Sequence, residues 1–316
     1  MNIWKARANA GNYIDFFSKP PYNLRRIQEK RTKIMKNKSK VIIYGGVAAL
    51  LTVLGTLLRA VGLFKFYDRE VGYFQSGALV PELLRWLCII APVAFVFVGI
   101  FASKVKIVQS CGFASKIGSA VAAVMILAHA IYLVPYCLAY VEGNLLIPGL
   151  FLAFAVISVL YFATGVTKKA DAENRALLGF GVILYATAGL AKSYFDFKTT
   201  MNSPDKLLLQ VAYMSIMLYM LAETGLLIGA KKGGRLAVFS FIAFFFCTVS
   251  SVPALAAYLS RGFYGFIAKP EYAMSQLGVL ALAVYALCRF IDCLKGARDY
   301  TRDELDAIKE EKKAEN

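Results

Sequence analysis

Eight apolar blocks, each about 20 residues or slightly longer and separated by short polar stretches, fill this chain from residue 41 to residue 294. At about 1.5 Å per residue, one such block in helical form matches the roughly 30 Å hydrocarbon core of a bilayer. The blocks cover 41–66, 80–102, 117–141, 145–166, 176–195, 206–230, 236–259 and 274–294. A soluble domain is excluded, because 59% of the 316 residues are hydrophobic and 18% charged, against about 45–50% and about 25% in soluble proteins. Barrel strands are excluded as well: they alternate every second residue over about 10 residues, whereas Leu236 to Leu259 is apolar on every side. The expected fold is therefore all-α, a polytopic helical membrane protein with eight transmembrane helices. Residues 1–40 form a basic segment ahead of the membrane, 41–166 and 167–294 hold four spans each, and 295–316 form a short tail.

Charge placement sets the expected orientation. The chain carries 36 Lys and Arg against 20 Asp and Glu, a net charge of +16. In a soluble protein that excess would suggest a nucleic-acid partner. Here 11 of the basic residues precede residue 41, and 26 in all fall in the two tails and the loops after spans two, four and six. Only 7 fall in the alternate loops, and Arg59, Arg85 and Arg289 lie within spans. Basic residues gather on the cytoplasmic face, so both termini are expected in the cytoplasm of a multi-pass protein of the plasma or inner membrane. The bilayer is the expected partner, with anionic headgroups meeting Arg25, Arg26, Lys30, Arg31 and Lys33; no nucleic-acid partner is expected. The first apolar run begins only near residue 41, too far in for a secretory signal, so the first span is expected to persist. Thr301, Arg302, Asp303 and Glu304 make a capping box ahead of a short helix expected over 305–313.

The two halves echo each other. Span three ends in Val134-Pro135-Tyr136-Cys137-Leu138-Ala139-Tyr140 and span seven in Val252-Pro253-Ala254-Leu255-Ala256-Ala257-Tyr258. An aromatic pair precedes an acid at Phe66-Tyr67-Asp68 and at Tyr194-Phe195-Asp196, and a proline leads into the next span at Pro81 and Pro204. Three matches in one order suggest a tandem duplication of a four-helix unit. Because four is even, its copies would be related by an axis along the membrane normal.

Standard catalytic motifs are absent, as is any Cys/His pattern for a metal among the six cysteines, so no catalytic residue, metal or cofactor is expected. Three features remain. His129 lies near the middle of span three, where a neutral imidazole can equally join packed helices. Glu223 lies seven residues from the inner end of span six, about 10 Å deep, with Tyr219 one turn away as a donor. Together Glu223, His129 and Tyr219 form a candidate intramembrane polar site, with Glu223 the candidate proton carrier. Toward the outer face, Arg59 and Arg85 with Asp68 and Asp196 form a candidate charge cluster, with Glu70 and Glu82 also near enough to pair with the arginines, able to hold an anionic solute or simply to pair internally. Arg289 and Asp292, three residues apart, are expected to neutralise each other.

Three function classes follow. The leading one is transport or binding of a small solute or lipid in a cavity between the two four-helix halves. The second is a regulatory or scaffold membrane protein. The third, an intramembrane enzyme, has only His129 and Glu223 behind it, and no enzymatic activity is expected.

Overall fold

The computed structural model describes residues 22–68, 72–103, 105–106, 112–139, 146–167, 171–195, 203–229, 233–260, 269–296 and 298–299. Glu70, Asp196 and the helix expected over 305–313 lie outside these residues, as do the side chains of Arg25, Arg26, Lys30, Arg31 and Lys33. The helices are α1 (Tyr22–Lys65), α2 (Leu79–Ala102), α3 (Phe113–Ala139), α4 (Leu146–Thr167), α5 (Ala172–Tyr194), α6 (Pro204–Leu227), α7 (Gly233–Leu259) and α8 (Pro270–Gly296). All eight are long and apolar enough to cross a membrane. The chain is an all-α, multi-pass integral membrane protein.

Local sequence explains where the helices begin. α1 runs unbroken from just after Pro20-Pro21, because Tyr22 to Lys40 contains neither Pro nor Gly. Its basic first part thus extends the membrane helix by about 27 Å. At α6, Ser203 accepts from the Lys206 N–H as N-cap and Pro204 takes the first helical position, where its missing N–H costs nothing.

The helices α3 to α8 form a closed ring: each packs on the next, and α8 returns to pack on α3. Outside the ring, α1 and α2 pack on each other and on α7. Burial follows from this arrangement. The apolar stretch of α7 is 67% buried and that of α1 only 22%, so Ile43, Leu50, Val53 and Leu57 of α1 form an exposed, outward apolar surface. The approach of α2 to α7 depends on two glycines: a Cβ on Gly99 would strike the Val238 side chain, and one on Gly234 the Gly99 carbonyl.

These neighbours repeat only in part between the halves: α1·α2 maps onto α5·α6 and α3·α4 onto α7·α8, but the remaining pairs differ. An exchange of α1–α4 with α5–α8 would carry the close α1·α7 pair onto α5·α3 and the α3·α8 pair onto α7·α4, and neither of those is closely packed. Matched prolines fix bends within a helix; they do not fix which helix lies alongside.

Two short antiparallel pairs close the loops. β1 (Tyr67–Asp68) pairs with β2 (Tyr73–Phe74) between α1 and α2, with Tyr67 opposite Phe74. β3 (Val105–Lys106) pairs with β4 (Arg298–Asp299), joining the α2–α3 loop to the segment after α8. Hereafter the terminal end is the one bearing β3–β4, and the far end the one bearing β1–β2.

Candidate functional site

At the far end, a cavity of about 880 Å³ lies between α1 and α2 on one side and α6 and α7 on the other. Its walls are apolar: Leu79, Leu84 and Cys88 from α2, Leu207, Leu208 and Val211 from α6, and Phe246 from α7. Phe74, Gln75 and Ser76 roof it, and Arg59, Glu82 and Arg85 supply charge. The cavity is thus framed by first-half and second-half helices, although those halves are not separate bundles.

Arg59 anchors the inner wall. Only 1% exposed, it reaches Asp205 Oδ1 through Nη2 at 2.7 Å and donates through Nη1 to the carbonyls of Val249 at 2.8 Å and Ser250 at 2.6 Å. Pro253 explains the Val249 bond. A proline has no N–H for the carbonyl four residues earlier, and Arg59 supplies the absent donor. Asp205, in the first turn of α6, adds a carboxylate at the positive end of that helix. Tyr67 and Tyr272 complete the surroundings of this pair. Burial, and then the Asp205 carboxylate, push the Tyr67 phenol well above its usual range, so it remains a hydroxyl.

This arrangement corrects the Arg59 part of the outer charge cluster expected from sequence and keeps the Arg85 pairing with Glu82. Arg59 turns inward to Asp205, because the proline-freed carbonyl and an acid lie within reach of its stem. Arg85 stays exposed and pairs with Glu82 at 3.6 Å, and Asp68 is exposed. Arg59 and Arg85 share a cavity wall but not one ion-pair cluster. Sequence reasoning missed Asp205, although Ser203-Pro204-Asp205 places an acid at the far-end start of span six, at a depth Arg59 can reach.

A second buried set lies nearer the terminal end, inside the ring. Glu223 Oε2 accepts from the Tyr219 hydroxyl at 2.5 Å, while Oε1 accepts from the Tyr285 hydroxyl at 2.6 Å and from Arg289 Nε at 3.0 Å. The Tyr161 hydroxyl lies 3.1 Å from that of Tyr285, which also accepts from Arg175 Nη2 at 3.4 Å. Four ring helices meet here: α4, α5, α6 and α8. The Tyr219 donor expected from sequence is in place, and the carboxylate also has a guanidinium against it. Arg289 sends Nε across the ring, while Asp292 accepts the Ser115 N–H at 2.5 Å and lies 3.9 Å from Lys295 Nζ. The signal was depth: Glu223 is four residues from the end of α6 and Arg289 seven from the end of α8, so the two stand about 6 and about 10 Å inside the same end.

His129 stands apart from Glu223. Its Nδ1 is 2.8 Å from the Tyr185 hydroxyl, and its ring meets Phe151 edge-on at 5.1 Å. Gly278 leaves the notch this pair occupies, since a Cβ there would collide with the Tyr185 hydroxyl. Neither His129 nor Glu223 lines the far-end cavity. Among the described residues, no group of three or more His, Cys, Asp or Glu is placed to hold a metal.

The chain matches no protein-family model, no curated protein and no solved structure.

Proposed function

We propose that this membrane protein binds a small amphipathic molecule of lipid type in the far-end cavity between α1–α2 and α6–α7. One observation carries the reading: an 880 Å³ space with apolar walls and three charged side chains on its lining, Arg59 buried in the inner wall and Glu82 and Arg85 exposed, built on two helices with exposed apolar outer faces. Pockets that retain small ligands have this composition, mostly apolar with a few placed polar groups. The reading is of binding, with passage of the ligand between membrane and cavity, rather than of flux through the ring. The ring's acid and histidine lie off the cavity, and the acid has all its near donors within the protein. It assigns no covalent step to the chain. In the same reading both termini face the cytoplasm, as the basic loops imply, and the basic start of α1 meets the anionic inner surface.

A second reading, a regulatory or scaffold protein without a small ligand, draws support from the Glu223 set, which joins α4, α5, α6 and α8 by side-chain bonds alone. The two readings part in one experiment. The full chain is purified in mild detergent, and small molecules that travel with it are extracted and identified by mass spectrometry, beside Leu79→Trp and Leu207→Trp. Both positions line the cavity and are substantially exposed, so a larger side chain fills space without disrupting packing. The binding reading expects an amphiphile near one per chain in the native protein, and its loss in both variants. Equal recovery from all three proteins supports the scaffold.

A further inference from the structure

Resting on the cavity reading above, we infer that the ligand is a lipid with a zwitterionic headgroup, its cationic group set on Glu82 and its anionic group on Arg85. The cavity's charged groups divide into two kinds. Arg59 lines the wall but is committed: its two terminal nitrogens hold Asp205 and two carbonyls of α7. Moving it toward a ligand would leave the buried Asp205 without its cation, at a cost of several kcal/mol. Arg59 is therefore part of the wall.

Glu82 and Arg85 are the groups able to meet a ligand. They sit one turn apart on α2, at 3.6 Å from each other, with side chains 55% and 72% exposed. An exposed pair of this length contributes little on its own, so exchanging it for two contacts with a ligand costs little. An anionic headgroup would gain Arg85 but face the Glu82 carboxylate; a cationic one would meet the reverse. A headgroup bearing both charges a few ångströms apart, as a phosphate and an ammonium are, satisfies both and leaves no repulsive pair. The tail has a defined place too: Leu79, Leu84, Leu207, Leu208, Val211 and Phe246 form one continuous apolar lining. A soluble zwitterion would leave that lining without a partner, so the occupant carries an acyl or comparable apolar chain.

The test uses the purified full chain and native mass spectrometry with lipids of matched acyl chains: phosphatidylethanolamine, phosphatidylglycerol and diacylglycerol. Soluble glycerophosphoethanolamine is a fourth probe. The expected order places phosphatidylethanolamine about two- to fivefold above phosphatidylglycerol, the scale of one exposed charge contact. The soluble headgroup alone is not retained. Glu82→Gln removes the discrimination against phosphatidylglycerol, and Glu82→Gln with Arg85→Gln brings all three lipids to the diacylglycerol level. Both positions are exposed, so the variants fold, and an unchanged gel-filtration profile checks this. Preference for phosphatidylglycerol, an unchanged preference in the double variant, or retention of the soluble headgroup overturns the inference while leaving the cavity reading in place. The cavity reading itself fails if Leu79→Trp and Leu207→Trp retain all three lipids as the native chain does.

Discussion

Arg59 on α1 donates through Nη1 to the carbonyl oxygen of Val249 on α7 at 2.8 Å, the acceptor that Pro253 deprives of its helical donor. With Asp205 at 2.7 Å on the other terminal nitrogen, one guanidinium joins α1, α6 and α7. The cavity therefore has a fixed inner wall, on which α2 and the β1–β2 hairpin close from outside.

Removing that guanidinium is expected to cost more than a surface ion pair. Arg59→Met leaves the buried Asp205 carboxyl without its cation, a loss of about 3–5 kcal/mol, read as a lower melting temperature in detergent. Pairing it with Asp205→Asn recovers most of the loss. A second cycle isolates the proline. In Pro253→Ala the new N–H can reach Val249, so Arg59→Met should cost about 1 kcal/mol less in that background. Strict additivity of the two changes argues that Arg59 does not serve the proline-freed carbonyl.

The Glu223 set separates packing from proton handling. If the carboxylate serves to hold α6 to α8, Glu223→Ala strips three donors of their acceptor and destabilises by about 2–4 kcal/mol. Tyr285→Phe removes one donor, at about 1 kcal/mol. Glu223→Gln keeps the shape but not the charge opposite Arg289, so it should fall between these two. Stability is read by thermal unfolding and function by lipid retention. A Gln variant as stable as the native chain but unable to retain or exchange ligand returns Glu223 to the role of proton carrier.

Tyr67 gives a pH signature. Its phenol is pushed up in the folded chain by burial and by Asp205, so its contribution is complete below the unfolded value of about 10 and is lost as pH rises beyond it. The unfolded chain releases the proton first. The stability difference between the native chain and Tyr67→Phe should accordingly stay constant from about pH 6 to about pH 9 and shrink only above about pH 10. A difference that changes near neutrality would assign the effect to another group.

Much of the fold was legible in the sequence because it follows from one-dimensional signals. Apolar length fixed eight spans to within a few residues, and Ser203-Pro204 marked a helix start. What stayed hidden depends on which helix faces which. Arg59 was read with Asp68 and Asp196 because those acids are near in sequence or in register; its partner Asp205 is 146 residues away. Glu223 was expected to meet Tyr219, as it does, but its cation Arg289, 66 residues on, was missed because Arg289 had an acid three residues from it. The ring of α3 to α8, with α1 and α2 outside it, was not legible, since apolar helices carry few marks of their neighbours. The Gly99–Gly234 approach is one such mark, readable only once α2 and α7 are known to touch.

The last prediction concerns orientation. Both ends of the membrane-spanning set lie at the β3–β4 end, where the α2–α3 loop pairs with the segment after α8. The loops after spans two, four and six, with the two tails, hold 26 of the 36 basic residues. Loops rich in Lys and Arg are retained on the cytoplasmic side, so this end is expected to face inward and the cavity outward, toward the leaflet away from the cytoplasm. Single cysteines in a background lacking the six native ones test it, with an impermeant thiol reagent on intact cells. Ser76→Cys, in the cavity roof, and Ser203→Cys, ahead of α6, should be labelled, whereas Ser103→Cys, after α2, should be labelled only once the membrane is opened. Ser76 and Ser103 are exposed, so their result reports topology rather than burial; the buried Ser203 should label more slowly than Ser76. Labelling of Ser103→Cys in intact cells, with protection of Ser76→Cys, would invert the molecule. The cavity would then draw its ligand from the cytoplasmic leaflet, and the basic start of α1 would need a partner other than the anionic inner surface.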